Sequence, residues 1–367
     1  MRTFKRALWL NALACAIAFP ASARLASAQI IPTVLRPKVV VVAYFEIGND
    51  IGDKPGEAQF WVERDHLDRS INVPGMTHSV RANAAGTEIA VVIGPSDIKP
   101  AINLMALAAD PRFDLRQSYW LIQGIAGISP FDGTIGSAVW TDFVVNGTMA
   151  KQVDTREIPK DWQDGYVTLN GSKPTDDKNE GGLESDVRTW SGTEARANVR
   201  GNVIRLNLDL MRWAFALTKD TDLPENDAMK ALRTRYTNRH LSEVAMESPH
   251  VLVGANMDTE TFWHGAKMDA WAHRWVTYET DGIAHFVTTA NNDSGALLAL
   301  QALTLQGKAN WNRAVLLRTA SNFDMPPTGV TPAENLAIET HGGYTGFVPA
   351  LEAAYKVGHR VVAEWLK

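Results

Sequence analysis

Short, unbroken apolar runs recur along the chain at residues 38–45, 88–93, 119–122, 251–253, 283–288 and 313–319. None alternates polar with apolar, which is the pattern of strands covered on both faces. Helical periodicities lie between them. Residues 98–109 set Ile102, Met105, Ala106 and Ala109 on one face, with Asp97 as the expected cap and Pro100 in the first turn, where a missing N–H costs little. Residues 294–305 follow Asn291-Asn292-Asp293 and stop at Gly307, a normal helix end. Residues 203–217 and 228–236 predict two more helices. A last one, 346–366, gathers Leu351, Ala354, Tyr355, Val361, Val362 and Trp365 on one face. This alternation predicts an α/β fold of three layers (αβα), with helices on both faces of a mixed central sheet.

Two stretches break the rhythm. Residues 145–200 are rich in Asp, Gly, Thr and Trp and predict a loop-rich excursion; residues 323–341, with Pro326, Pro327 and Pro332, predict a second long loop. Long loops on such a scaffold often frame a site. No Gly/Ser or Pro linker and no internal repeat divides the rest, so residues 29–367 read as a single domain.

The first 28 residues read as an address. Arg2, Lys5 and Arg6 precede an apolar run at 7–19, and Ala26-Ser27-Ala28 is a small-residue cleavage site, with Ala21-Ser22-Ala23 as an earlier alternative. The expectation is cleavage after Ala28 and a periplasmic or secreted protein. The one cysteine, Cys15, falls inside this leader. A mature chain without thiols has no disulfide, cysteine nucleophile or thiolate metal site, which suits an oxidising compartment. Losing the leader takes the formal charge from −5 to −9. With no basic run left, nucleic acid and anionic membrane have no electrostatic footprint. No mature segment reaches the roughly 20 apolar residues of a membrane-spanning helix, and the strand runs are too few for an outer-membrane barrel. His264 and His273 lack metal-ligand spacing, so no metal site is expected.

Four constellations carry possible chemistry. Gln123-Gly124-Ile125-Ala126-Gly127 follows the run at 119–122; it reads as a tight turn or as a backbone cradle for an anion or hydroxyl. Asn291-Asn292-Asp293-Ser294 opens a helix, where Asp293 is either a cap or a carboxylate presented at a strand-to-helix corner. Arg318-Thr319-Ala320-Ser321-Asn322-Phe323-Asp324 leaves the last strand run, either as a capped loop or as a polar strand end facing a ligand; Asn322 has a donor and an acceptor for a heterocycle edge, and Asp324 falls on the same side if the chain stays extended. Thr261-Phe262-Trp263-His264-Gly265 offers either packing or an aromatic wall for a flat ring.

Together and in this order, the stretches YFEIGND, DPRFDL, YWLIQGIAGISP, GTIGSAVW, TREIPKDW, TFWHG, VTTANNDSGALLAL and VLLRTASNFDMPP resemble the purine nucleoside permease family, over most of the chain from about Pro37 onward. That family is similar in turn to nucleoside phosphorylases and nucleosidases, which implies their fold, purine nucleosides as partners, phosphate as the one candidate co-substrate and no cofactor. The resemblance implies that Asp293, with Asn292, holds the ribose hydroxyls. It sets Asn322, with Ser321 and Asp324, against the purine. Gly124, Ile125, Ala126 and Gly127 then surround phosphate or the attacking water, Phe262 or Trp263 touches the base, and Glu46 stands near the nucleophile. A homo-oligomer is expected by analogy of fold alone.

Two departures bear on mechanism. Residues 120–123 lack the arginine with which some phosphorylases grip phosphate, and Asn322 hydrogen-bonds a purine without protonating it. The expected function is N-glycosidic cleavage of purine nucleosides by water or phosphate. The alternatives are a non-catalytic nucleoside-binding protein that supports uptake, and an interaction module without a pocket.

Overall fold

The computed structural model describes residues 34–169, 171–174, 202–236 and 243–367. The leader reading at 1–28, and residues 170 and 175–200 of the excursion, lie outside the described residues. In chain order the first half runs β1 (Val39–Ala43), α1 (Gln59–Arg64), β2 (Arg69–Ile71), β3 (Val80–Ala82), β4 (Glu88–Val92), α2 (Ile98–Ala109), β5 (Tyr119–Ile128), β6 (Ala138–Asn146), β7 (Ala150–Gln152) and β8 (Tyr166–Thr168). The second half runs β9 (Val203–Arg205), α3 (Leu208–Thr218), α4 (Asp227–Arg233), β10 (Val251–Asp258), α5 (Ala266–Glu279), β11 (Phe286–Ala290), α6 (Asp293–Leu305), β12 (Ala314–Phe323), α7 (Pro332–Gly342) and α8 (Phe347–Leu366).

Strand β1 shows why the fold has three layers. All five of its residues are buried, and successive side chains point to opposite faces. Val40 and Val42 enter one cluster with Leu104 and Leu107 of α2 and Leu297 and Leu300 of α6. Val39 and Val41 enter another with Trp61 of α1 and Ala353, Val357 and Val361 of α8. Each such apolar side chain contributes about 1.5–3 kcal/mol when taken from water. A third cluster packs Trp271 and Trp275 of α5 against Phe143, Met257 and Phe286.

The main sheet runs β11-β10-β6-β12-β5-β1-β4-β3-β2, with β9 on β6. It is mixed: β5 lies parallel to β1 and β12, while β12 lies antiparallel to β6. Strand β11 also returns to β5, pairing Thr288 with Ile128 and Thr289 with Gly127 antiparallel, so β5, β12, β6, β10 and β11 form a ring of pairings. Three register shifts fall at Ala320/Asn322, Gly254/Asn256 and Ala255/Asn256. Bulges of this kind re-aim side chains beside sites. Val34–Lys367 clusters as one compact unit.

Several local expectations change. Residues 123–127 are not a turn: they continue β5, because β12 pairs with them up to Ile128, with one bulge at Ser321. Residues 203–217 are not one helix; β-branched Val203 and Ile204 pair with β6, and the helix starts at Leu208, where the Asn207 side chain accepts from the Asp209 and Leu210 N–H groups. Helix α2 has its expected bounds but buries Asn103, Leu104, Leu107 and Ala108, leaving Ile98 and Ile102 in solvent. Asp97 does not cap it. The expected loop at 323–341 contains α7, started by a capping box between Thr331 and Glu334.

Candidate functional site

A cavity of about 380 Å³ opens at the carboxyl ends of β5, β10, β11 and β12 and beside the segment after β1. Open sheets place ligands there, and the volume suits a small molecule. Its wall brings together Ile125, Ala126 and Gly127 of β5, Asn292 before α6, and Ser321, Asn322 and Asp324 at the end of β12. Phe262, Trp263, Phe45, Tyr344 and Glu57 complete much of the rest. The described lining residues include Glu57, Glu260 and Asp324 but no Lys, Arg or His.

Glu57 is the residue that sequence reasoning missed. Its Oε1 accepts from the Ile125 N–H at 2.8 Å and its Oε2 from the Tyr44 N–H at 2.7 Å. Burial pushes its pKa up to about 7, against the lowering pull of Arg318 and of those N–H donors. Gly124 makes this close approach feasible: a Cβ there would lie 2.6 Å from Glu57 Oε1 and 2.5 Å from Arg318 Nη1. Nothing in the pattern of residues 54–60 marks Glu57, because its partners come from β1 and β5.

Glu46, the expected acid after β1, is off the cavity wall. Its carboxylate accepts from the N–H groups of Ile47 at 2.9 Å, Ala58 at 3.0 Å and Gln59 at 2.7 Å, and from that of Gly56. It fastens the segment after β1 to the start of α1.

Asp293 is also placed otherwise than expected. It is fully buried and absent from the cavity wall. Tyr44 Oη donates to its Oδ1 at 2.6 Å, Asn256 Nδ2 to its Oδ2 at 2.8 Å, and Arg318 Nε to Oδ2 at 3.0 Å, with Arg318 Nη2 on Oδ1. A carboxylate engaged by these donors is not free to hold ribose hydroxyls. Nor does it cap α6, whose first N–H groups go to neighbours: Asp258 Oδ2 accepts from Ser294 N at 2.7 Å and Asp97 Oδ1 from Gly295 N at 2.9 Å.

Residues 120–123 carry no arginine, but the neighbouring strand brings one close, with Arg318 paired to Gly124 in register. Arg318 of β12 reaches the Ile125 carbonyl at 3.0 Å and Asn292 Oδ1 at 2.7 Å, and its guanidinium lies 4.7 Å from the Tyr44 ring centre. Burial opposes its charge, and Asp293 and Tyr44 outweigh that, so it stays a cation. Its charge is thus committed to Asp293.

Asn322 lies on the wall, but Ser321 Oγ donates to its Oδ1 at 2.9 Å and its Nδ2 donates to the Phe323 carbonyl at 3.0 Å. Asp324 is 1% exposed, and neither of its oxygens receives a hydrogen bond. Burial first, and then Asp269, hold its pKa well above the usual carboxylate range. Phe262 is 45% exposed at the rim, whereas Trp263 is mostly core, with Trp271 and Phe286 each 6.3 Å away. His264 is buried, meets Asn335 at 3.0 Å, and is pushed down to about 4 by burial, so it is neutral. Among the described residues no grouping is arranged to hold a metal ion, and no helix is long and apolar enough to cross a membrane.

The chain is similar to the probable purine nucleoside permease of Schizosaccharomyces pombe, 27% identical over 314 residues and 84% of each chain. It is 23% identical over 342 residues to the purine nucleoside permease of Candida albicans, covering 91% of this chain and 77% of that one. Among solved structures, the 5′-methylthioadenosine/S-adenosylhomocysteine nucleosidase of Neisseria meningitidis superposes with a TM-score of 0.46 at 12% identity, over 89% of this chain and 99% of that one. The futalosine hydrolase of Helicobacter pylori gives 0.46 at 10% identity, over 89% and 98%. The family model for purine nucleoside permease (NUP) matches residues 36–367, and the chain belongs to that family.

Proposed function

We propose that the cavity binds a purine nucleoside and that the protein cleaves its N-glycosidic bond with water. The observation that carries this reading is the pair of buried acids, Glu57 and Asp324, on one cavity wall. Cleaving this bond leaves charge on the base and a cationic sugar, so it needs a proton donor for the one and an activated nucleophile for the other. Asp324 keeps its proton and can give it to a base ring nitrogen. Glu57, near 7, is matched to taking a proton from water at neutral pH. Acids whose surroundings set them to different tasks are the usual mark of such a division of labour.

Water is favoured over phosphate by charge. The described wall carries three acids and no cation, and the nearby Arg318 is paired with Asp293. A phosphate dianion would enter against that field. The leader-like residues 1–28 support an extracytoplasmic setting, and family membership supports the purine nucleoside.

The test is product chromatography with inosine and adenosine, with and without phosphate. Free base and ribose at equal rates in both are expected, rising with pH through about 7 as Glu57 ionises. The Glu57→Gln protein should lose that rise and about 10²–10⁴-fold in rate. Base released only with phosphate would make the protein a phosphorylase. Saturable binding of intact nucleoside would make it a binding protein.

A further inference from the structure

We propose that Asn291 and Asn292 grip the two ring hydroxyls of the sugar and make the site select ribonucleosides over deoxynucleosides. The inference rests on the nucleoside reading above and names the side chains that read the sugar. Asn292 stands just before α6, where an asparagine ordinarily turns its oxygen to the N–H groups of the second and third helical residues. Here those two N–H groups, of Ser294 and Gly295, are taken by Asp258 at 2.7 Å and by Asp97 at 2.9 Å. The Asn292 side chain makes no cap bond and is left for another task. Departures of this kind from local rules gather at functional sites.

The partners of the two amides fix which way each one faces. Arg318 Nη2 donates to Asn292 Oδ1 at 2.7 Å. A guanidinium only donates, so the atom it meets must be the oxygen, and the amide nitrogen with its two donors is the free end. Asn291 is set the other way. Its Nδ2 donates to the Thr259 carbonyl at 2.9 Å, and a carbonyl only accepts, so the Asn291 oxygen is the free end. Among the described residues neither Asn291 Oδ1 nor Asn292 Nδ2 has a hydrogen-bond partner, and neither is sealed inside the protein. Both residues are half-buried on the cavity wall. Two consecutive side chains thus present one fixed acceptor and one fixed donor. The buried Arg318 cation on Oδ1 also polarises the Asn292 amide, which strengthens its N–H donors. Asp293 acts on the sugar at one remove, by holding the arginine that aims Asn292.

An acceptor beside a donor suits a pair of neighbouring hydroxyls, each of which both donates and accepts. Placement assigns the pair to the sugar and not to the base. The guanidinium that fixes Asn292 also donates to the Ile125 carbonyl at 3.0 Å, and the Ile125 N–H holds Glu57 at 2.8 Å. Asn292 therefore sits at the Glu57 end of the wall, where water meets the sugar. The base end lies two residues further along β5, about 7 Å away. There a Cβ on Gly127 would lie 3.6 Å from Asp324 Cβ and 3.7 Å from Asn322 Nδ2.

Calorimetric titration with inosine, 2′-deoxyinosine, 3′-deoxyinosine and hypoxanthine tests the grip, with Glu57→Gln in every protein to slow turnover. We expect this parent protein to bind inosine about 10-fold more tightly than either deoxy analogue, the factor of one hydrogen bond. Adding Asn291→Ala or Asn292→Ala should bring one of those two ratios close to one and leave the affinity for hypoxanthine unchanged. If Asn292→Ala fails to fold because Arg318 loses an acceptor, Asn291→Ala, which touches no buried charge, carries the test. Ratios near one in the parent, ratios kept in either variant, or losses shared by hypoxanthine overturn the grip and leave the cleavage reading standing. Selective binding of ribonucleosides by wild-type protein that leaves them whole overturns cleavage and keeps the grip. A protein that binds no nucleoside overturns both.

Discussion

At the scale of the residue, the site is a set of buried charges whose partners come from distant parts of the chain. Asp293 shows the difference between spotting a residue and placing it. The sequence marks it, since an acid at a strand-to-helix corner stands out, but its four donors come from Tyr44, Asn256 and Arg318. Spacing along one segment carries no information about those. The same limit hid Glu57 and left Arg318 without a role, while Ile125–Gly127, Ser321, Asn322 and Asp324 were legible as lining residues because strand ends in α/β sheets face ligands. Asp293→Ala therefore tests a structural role. It strands a buried guanidinium, and breaking such a pair costs about 3–5 kcal/mol. Denaturant titration should show that loss, whereas an Asp293 that serves ribose alone would leave stability unchanged and weaken nucleoside binding.

At the scale of the element, apolar runs located the strands but not their ends. Strands β5, β10 and β12 all run several residues past the apolar stretch, because pairing with neighbours carries polar and glycine residues along. Helix α7 was hidden by proline and a weak apolar face, although Thr331 and Glu334 spell its start. Helix α6 was found, yet its capping is supplied by Asp258 and Asp97 from other segments. That arrangement presses the Asp97 backbone against the helix. A Cβ built on Gly295 would lie 1.8 Å from the Asp97 carbonyl oxygen, so Gly295→Ala must push α6 away from both of its caps. A loss of about 1–3 kcal/mol is expected from such overpacking, read as a lower denaturation midpoint. A neutral or stabilising alanine, the usual result inside a helix, would contradict the close approach.

At the scale of the whole molecule, buried acids set how stability answers to pH. Burial raises Glu57, Glu279 and Glu339 to about 7 and Asp142 to about 6; Glu88, which also faces Asp65, reaches about 9. Each folded-state value exceeds the unfolded one, so the folded protein binds these protons more tightly. Their contribution is complete below the ordinary carboxylate value and fades as pH rises through 6 to 9. His273 and His359, also raised, act in the same sense. The Tm should therefore be higher at about pH 5.5 than at pH 8.5. A Tm that is flat or rising over that span would contradict these burials.

The ring of pairings in the sheet has a further consequence, for how the molecule meets its own copies. Because β11 turns back onto β5, one side of the sheet has no free rim. The rims left among the described residues are β2 and β9 of the main sheet and the hairpin β7–β8, each strand three residues long. That is roughly 10 Å of unpaired backbone at each, and Arg69 adds a charge on one of them. Short, charged rims are poor templates for a foreign strand. Growth into fibres by strand addition is thus discouraged by the shortness of these rims and by the charge on one of them.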